Sequence, residues 1–322
     1  TLDYYNIDVY ERSVSTKSSD AQLWFNRGLI WTNAYFHDEA VACFHRSIEA
    51  DPECAMAHWG VAYASGPNYN MPWERRDATM RKKTAETCYA ATQTALALIE
   101  KVTPFERAII EALSFRFPQN LPADFEVMRG WNDDFTNAMR TVFAAFPGDL
   151  DVACILVEAI MNRTPWNMWD QKTGDVAEGA GTVEAQVVLE TMLDQNPDSW
   201  SHPGLLHLYV HLMEMSPTPE KALKAGDVLR KLVPDAGHLI HMPTHIDVQC
   251  GHYQDVLHWN WKATQVDRKA LDRMGVYNLY TGYRIHNYHF AVYGAMFLGQ
   301  YEPAMRMAQE LAEVTPEELL RV

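Results

Sequence analysis

The sequence predicts an all-α protein, a single solenoid over residues 1–322 made of helical hairpins wound into a right-handed superhelix. Three observations carry that expectation. Small, aromatic and proline residues recur at fixed offsets in units of about 34 residues. Helix start and stop signals punctuate the stretches between those units. Alternating apolar and polar runs bounded by turn residues, the mark of strands, are almost absent.

The first unit is "AQLWFNRGLIWTNAYFHDEAVACFHRSIEADP". Counted from Ala21, Trp24 is position 4, Gly28 is 8, Trp31 is 11, Ala40 is 20, Phe44 is 24 and Pro52 is 32. This is the tetratricopeptide pattern: the small residues let two antiparallel helices approach closely, and the proline ends the second. Each hairpin needs its neighbours to bury its apolar faces. After residues 21–54 another unit starts at Ala55, followed by less regular helical hairpins. Thr103-Pro104-Phe105-Glu106 reads as a capping box with proline at the first helical position. Pro147-Gly148 separates a helix ending near Phe146 from one over Leu150–Met161, and a helix over Thr182–Gln195 follows a glycine-rich loop. The register returns over 203–236, with Ala222 at position 20 and Pro234 at 32. Residues 237–270 follow without a gap, more weakly, since Val256 and Arg268 stand at positions 20 and 32. After a 14-residue insertion, 285–318 repeats the pattern with Gly299, Tyr301, Ala304 and Pro316.

Composition narrows the function. Hydrophobic residues make up 48%, so the chain can bury a sizeable core. A net charge of −15 argues against nucleic acid and acidic membranes as partners. No apolar run is long enough to span a bilayer; Val152–Met161 comes nearest and is interrupted by Glu158. The five cysteines are scattered, odd in number and without a CxxC pair, which suits reduced thiols in a cytoplasmic protein. An oligomer is compatible with these features.

The histidines carry the chemistry. In tetratricopeptide hairpins, positions 2, 5, 9 and 12 of the first helix form one stripe lining the concave groove. In the last three units those positions are Gly204, His207, His211, Glu214; His238, His241, His245, Val248; and His286, His289, Tyr293, Met296. Seven of the twelve are histidine, in a chain holding 13 among 322 residues. The stripes of the first two units, Gln22, Phe25, Leu29, Thr32 and Met56, Trp59, Tyr63, Gly66, contain none.

Taken singly, each of these histidines reads first as a hydrogen-bonded groove residue. Taken together they point to a divalent transition metal, because crowded imidazoles gain little without a shared cation. His207 and His211 stand at i, i+4 with Glu214 three further on, and His241 and His245 form a second i, i+4 pair. The expected ligands are therefore His207, His211, Glu214, His241, His245 and His289, with His211 and His245 the pair best placed to share one ion. Pro243 is expected to start a helix, leaving His241 just before its first turn. His238 and His286, at the stripe ends, are expected to orient ligands or meet substrate. His202 reads as a helix cap or an orienting group. His252 and His258, and likewise His37, His45 and His58, read as packing residues. In "GPNYNMPW" and "NRTPWNMWD", Asn68, Asn70, Trp166 and Trp169 are candidates for substrate contact at the groove mouth, or else anchors of the solenoid together with Trp73. Tyr293 is the expected catalytic polar group.

"DPECAMAHWGVAYASGPNYN", "NRTPWNMWD", "HPGLLHLYVHLMEMSP" and "GHLIHMPTHIDVQCGHY" resemble the signature segments of a group of large tetratricopeptide-repeat proteins of bacteria and fungi. The resemblance runs from about Ala21 to Tyr301 and implies a superhelical repeat fold; it supplies no reaction. Glu214 stands where some members carry Asp, which keeps a carboxylate there. From the residues themselves, a histidine-rich shell without thiolates suits Fe or Cu, with Zn possible. The first expectation is an oxygen-activating oxidoreductase acting on a small organic molecule. A zinc-dependent hydrolase and a peptide-binding repeat scaffold are the alternatives.

Overall fold

The computed structural model describes residues 4–318, and among these every regular element is a helix. Trp169 and Val176 form a single isolated antiparallel bridge. Among the described residues no helix is long and apolar enough to cross a membrane. The chain divides into two compact units, Tyr10–Leu208 and a smaller one joining the N-terminal residues to Tyr209–Val322.

The larger unit holds α1 (Ser19–Asn33), α2 (His37–Ala50), α3 (Ala55–Ser65), α4 (Ala78–Ala97), α5 (Pro104–Arg116), α6 (Phe125–Ala145), α7 (Leu150–Met161) and α8 (Thr182–Gln195). Helices adjacent in sequence pack on one another. The role of the small repeat residues is visible at Phe44. A Cβ at Gly28 would lie 2.6 Å from its ring, and one at Gly60 2.5 Å. One buried ring of α2 therefore fills the space that glycine leaves on both α1 and α3, contributing about 1.5–3 kcal/mol by its burial. The α1–α2 turn is made by Tyr35 with φ 56°, and Phe36 N–H closes it onto the Trp31 carbonyl. The capping box forms on α5: the Thr103 side chain takes the Glu106 N–H, and the Glu106 carboxylate takes the Thr103 N–H.

The division between the units falls within α9 (Pro203–Met213). The smaller unit continues with α10 (Leu223–Leu232), α11 (Gly237–His241), α12 (Thr244–Gln249), α13 (Tyr253–Met274), α14 (Tyr280–Phe297) and α15 (Tyr301–Val314). α13 packs against α11, α12 and α14, and α14 against α15. The insertion expected between the last two units is largely helical: it lengthens the end of α13 and starts α14 at Tyr280. Gly294 lets α14 approach α13, where a Cβ would sit 2.8 Å from the Leu257 nitrogen. Leu257, Tyr288, Ala291, Ala295 and Met307 form the core between α13, α14 and α15. N-terminal residues also belong here: Ile7 is fully buried, and the Asn6 N–H donates to Asp235.

Candidate metal centre

Pro243 divides the histidine-rich segment into two short helices. Having no N–H, it cannot continue the α11 ladder, and α12 begins immediately after it. The freed polar groups are still satisfied. Thr244 Oγ1 donates to the His241 carbonyl at 2.7 Å, and the His245 N–H bonds to the Met242 carbonyl at 3.1 Å. His241 therefore closes a five-residue helix of its own, where the sequence suggested a place ahead of the first turn of the next.

Across this break the rings of His241 and His245 converge, and α14 brings His286 to the same point. His241 Nε2 lies 2.9 Å from His245 Nε2, which lies 3.4 Å from His286 Nε2. Two ligands at 2.0–2.1 Å from a tetrahedral zinc have donor atoms roughly 3.3 Å apart, so the spacing suits one ion.

Two of the rings are held from behind. Asn260, fully buried on α13, donates its amide N–H groups to Thr244 Oγ1 and the Val256 carbonyl. Its Oδ1 thus faces His241 and accepts the Nδ1 proton at 2.6 Å. Glu214 does the same for two rings at once, accepting from His211 Nδ1 and His245 Nδ1 at 2.7 Å each. With its Nδ1 proton committed, His241 presents its Nε2 lone pair to His245 Nε2. The contact is satisfied by a shared proton or by a metal ion. A proton would join two of the nitrogens, whereas a metal ion uses all three.

The charges agree. Burial alone would raise Glu214, but His245 and His211 outweigh it and hold its carboxyl well below the usual carboxylate range. Burial, reinforced by His245 and His286, pushes His241 well below its ordinary value. Burial, with His245 and His289, lowers His286 to about 4. His241 and His286 are therefore neutral near pH 7, as ligands must be. Phe290 packs on all three rings, 4.5 Å from His245, 4.7 Å from His286 and 5.1 Å from His241 between ring centres.

The set differs from the one read along the chain. His241 and His245 are members, and so is His286, expected only to orient ligands. His289 is exposed, three residues further along α14, and stays outside. Glu214, expected as a ligand, lies on the Nδ1 side of His211 and His245 and orients those rings, each of its oxygens accepting one imidazole N–H. His211 meets His245 through this carboxylate, and with buried His238, whose ring centre is 6.2 Å from its own, it belongs to another group of side chains that could hold an ion. His238, also buried, packs its ring on Tyr283, and its backbone N–H donates to the Tyr280 hydroxyl. Tyr293 is 45% exposed, with its ring 5.9 Å from that of His289. The group of Asp247, His252 and Asp255 is poorer in donors, since Arg230 occupies the Asp247 carboxylate.

The remaining candidates lie in the larger unit. His207 Nδ1 donates to the Asn33 carbonyl at 2.7 Å, and its ring edge meets Tyr35. His202 Nδ1 caps the Leu205 N–H while Nε2 donates to Asp151. Asn68 Oδ1 accepts the N–H groups of Asn70 and Met71. Trp166, with φ 60°, stacks on Tyr69; Trp73 is fully buried, and Trp169 makes the isolated bridge.

Sequence reasoning missed Asn260 and Phe290. Asn260 sits within "HWNWK" on the second helix of its hairpin, where no linear signal marks it. Phe290 carried a usable one, because it stands at i+4 from His286 and so shares its face. A scan of protein-family models finds none that matches this chain, and a search of curated proteins finds no relative.

Proposed function

We propose that this protein is a metal-dependent enzyme whose ion is held by His241, His245 and His286. The observation that carries the reading is the approach of three imidazole nitrogens, two of them on rings whose other nitrogen is already bonded. Three neutral ligands leave the full charge on a divalent ion, which when bound supplies a Lewis acid or a place for dioxygen. The chain's own groups do the positioning. Asn260 and Glu214 fix the ring orientations, and Phe290 shields the rings from water.

The reaction class proposed is oxygen-activating oxidation of a small organic molecule, with Fe or Cu as the metal. It is preferred over zinc-dependent hydrolysis because hydrolysis assisted by a protein base needs a carboxylate beside the ion, and Glu214 is turned to the Nδ1 atoms of His211 and His245 and not to the Nε2 cluster. We place the centre on a right-handed tetratricopeptide-like superhelix, supported by the sequential packing of the hairpins and by Phe44 filling the space over Gly28 and Gly60.

Elemental analysis of the purified chain tests the function. About one equivalent of Fe or Cu, lost in His245→Ala, supports oxidation; stoichiometric Zn moves the reading to hydrolysis. A protein that takes up no transition metal, with melting unchanged by added metal, is a repeat scaffold and not an enzyme of either kind.

A further inference from the structure

Helix α14 differs from the two long helices that flank it, α13 and α15. The exposed side of α13 carries Asp255, Lys262, Arg268 and Asp272, and that of α15 carries Glu302, Arg306 and Glu313, as a solvated helix face ordinarily does. The exposed residues of α14 are Gly282, His289, Tyr293, Met296 and Phe297, with no Asp, Glu, Lys or Arg among them. The one residue of those four types on the helix, Arg284, is buried and donates to the Val314 carbonyl. This charge-free face begins at the three-histidine cluster. Phe290 lies on the three rings and is followed by Tyr293, whose ring centre is 6.5 Å away at 27°, and then by Phe297, 5.0 Å from Tyr293. Tyr253 stacks beneath Phe297 at 4.6 Å and fixes its ring. Tyr293, Met296 and Phe297 are 45%, 65% and 52% exposed, an apolar outlay that packing within the unit does not explain.

The geometry points to a neutral, planar aromatic molecule bearing a hydroxyl as the substrate of this centre, its ring lying over Tyr293 and Phe297 and its hydroxyl directed toward His286. Ring faces favour a planar partner in offset stacking. A carboxylate-bearing molecule would find no Lys or Arg on this face. A fully apolar one would bring no polar atom to the site that the convergent nitrogens form at its near end. The inference deepens the metal-enzyme reading and rests on it for the word substrate; the aromatic face stands on its own observations.

The test uses 4-methylphenol, 4-methylcyclohexanol and 4-methylbenzoate, titrated by saturation-transfer NMR into the zinc-loaded chain, with metal content measured for each protein. The phenol is expected to bind more tightly than the other two. Tyr293→Ala and Met296→Glu, both surface changes that spare the fold, are each expected to weaken phenol binding roughly two- to tenfold with metal content unchanged. Equal affinity for the non-planar alcohol overturns the proposal, as does phenol binding unchanged in both variants. If the chain takes no zinc but the phenol still binds and responds to both substitutions, the aromatic face stands and the metal reading falls.

Discussion

Two buried histidine–carboxylate pairs, one in each unit, look alike in a contact search and have different consequences. In the larger unit, Asp151 accepts from His202 Nε2, the Tyr10 hydroxyl and Arg12, while His202 Nδ1 caps the Leu205 N–H. Every polar atom of that imidazole is used, and it can only hold the fold together. In the smaller unit, Glu214 takes the Nδ1 proton of His245 and leaves its Nε2 facing His241 and His286. A binding site is therefore recognised by the nitrogen left over once the hydrogen bonds are counted, not by the histidine–carboxylate contact itself.

The largest effect that could break this comparison concerns the ligands. His245→Ala should abolish stoichiometric metal and, with it, the stabilisation that saturating metal gives, about 4 kcal/mol at a thousandfold excess over Kd. His202→Ala should leave metal content unchanged and instead cost about 1–3 kcal/mol of stability, from the lost cap and the lost partner of Asp151. Elemental analysis together with melting curves with and without metal separates the two outcomes. Metal lost in His202→Ala but kept in His245→Ala would reverse the assignments.

A smaller effect sharpens the role of Glu214. Glutamine offers one acceptor and one donor where the carboxylate offers two acceptors, so Glu214→Gln must leave either His211 or His245 without its partner. Metal affinity should fall roughly 10–100-fold while helix content is kept. Competition with a coloured chelator measures it, and unchanged affinity would remove Glu214 from the site.

The smallest effect is on pH. Burial raises Asp267 to about 7, against the hydrogen bonds of Tyr280 and Asn287 and the charge of Arg284. The folded state then binds a proton that the unfolded chain releases near pH 4, so this group lowers stability as pH rises from about 4 to 7. His286, lowered to about 4, acts in the opposite sense in metal-free protein: the unfolded chain takes up its proton first, so stability rises from about pH 4 to 6.5. The two slopes oppose each other. Asp267→Asn should remove one and leave stability climbing with pH by a kcal/mol or more, read from urea midpoints at pH 4.5 and 6.5 in chelator. His241 and His37, also lowered by burial, act in the same sense as His286, so a flat profile in that variant would show that none of these buried histidines stays neutral in this range.

Much of this was legible along the chain, because local signals are set by local geometry. The capping box at Thr103 and Glu106 needs only residues three apart, and the glycines at positions 28 and 60 announce a close approach before its partner is known. The histidine stripe likewise follows from helical periodicity. Which of those histidines share an ion was not legible. His286 and His289 are equivalent in a stripe count, yet only His286 reaches His245, because a three-residue step on α14 turns a side chain about 60° around the axis. Glu214 reads as a ligand along the chain, while the folded chain sets it on the Nδ1 side of His211 and His245. Asn260 had no sequence signal at all, since its role exists only where α13 crosses the break at Pro243. The sequence by itself determined the helices, their small-residue contacts and the supply of imidazoles, all of which depend on neighbours within a few residues. The tertiary structure alone decided which nitrogen of each ring is left to bind, because that depends on a hydrogen-bond partner brought from another helix.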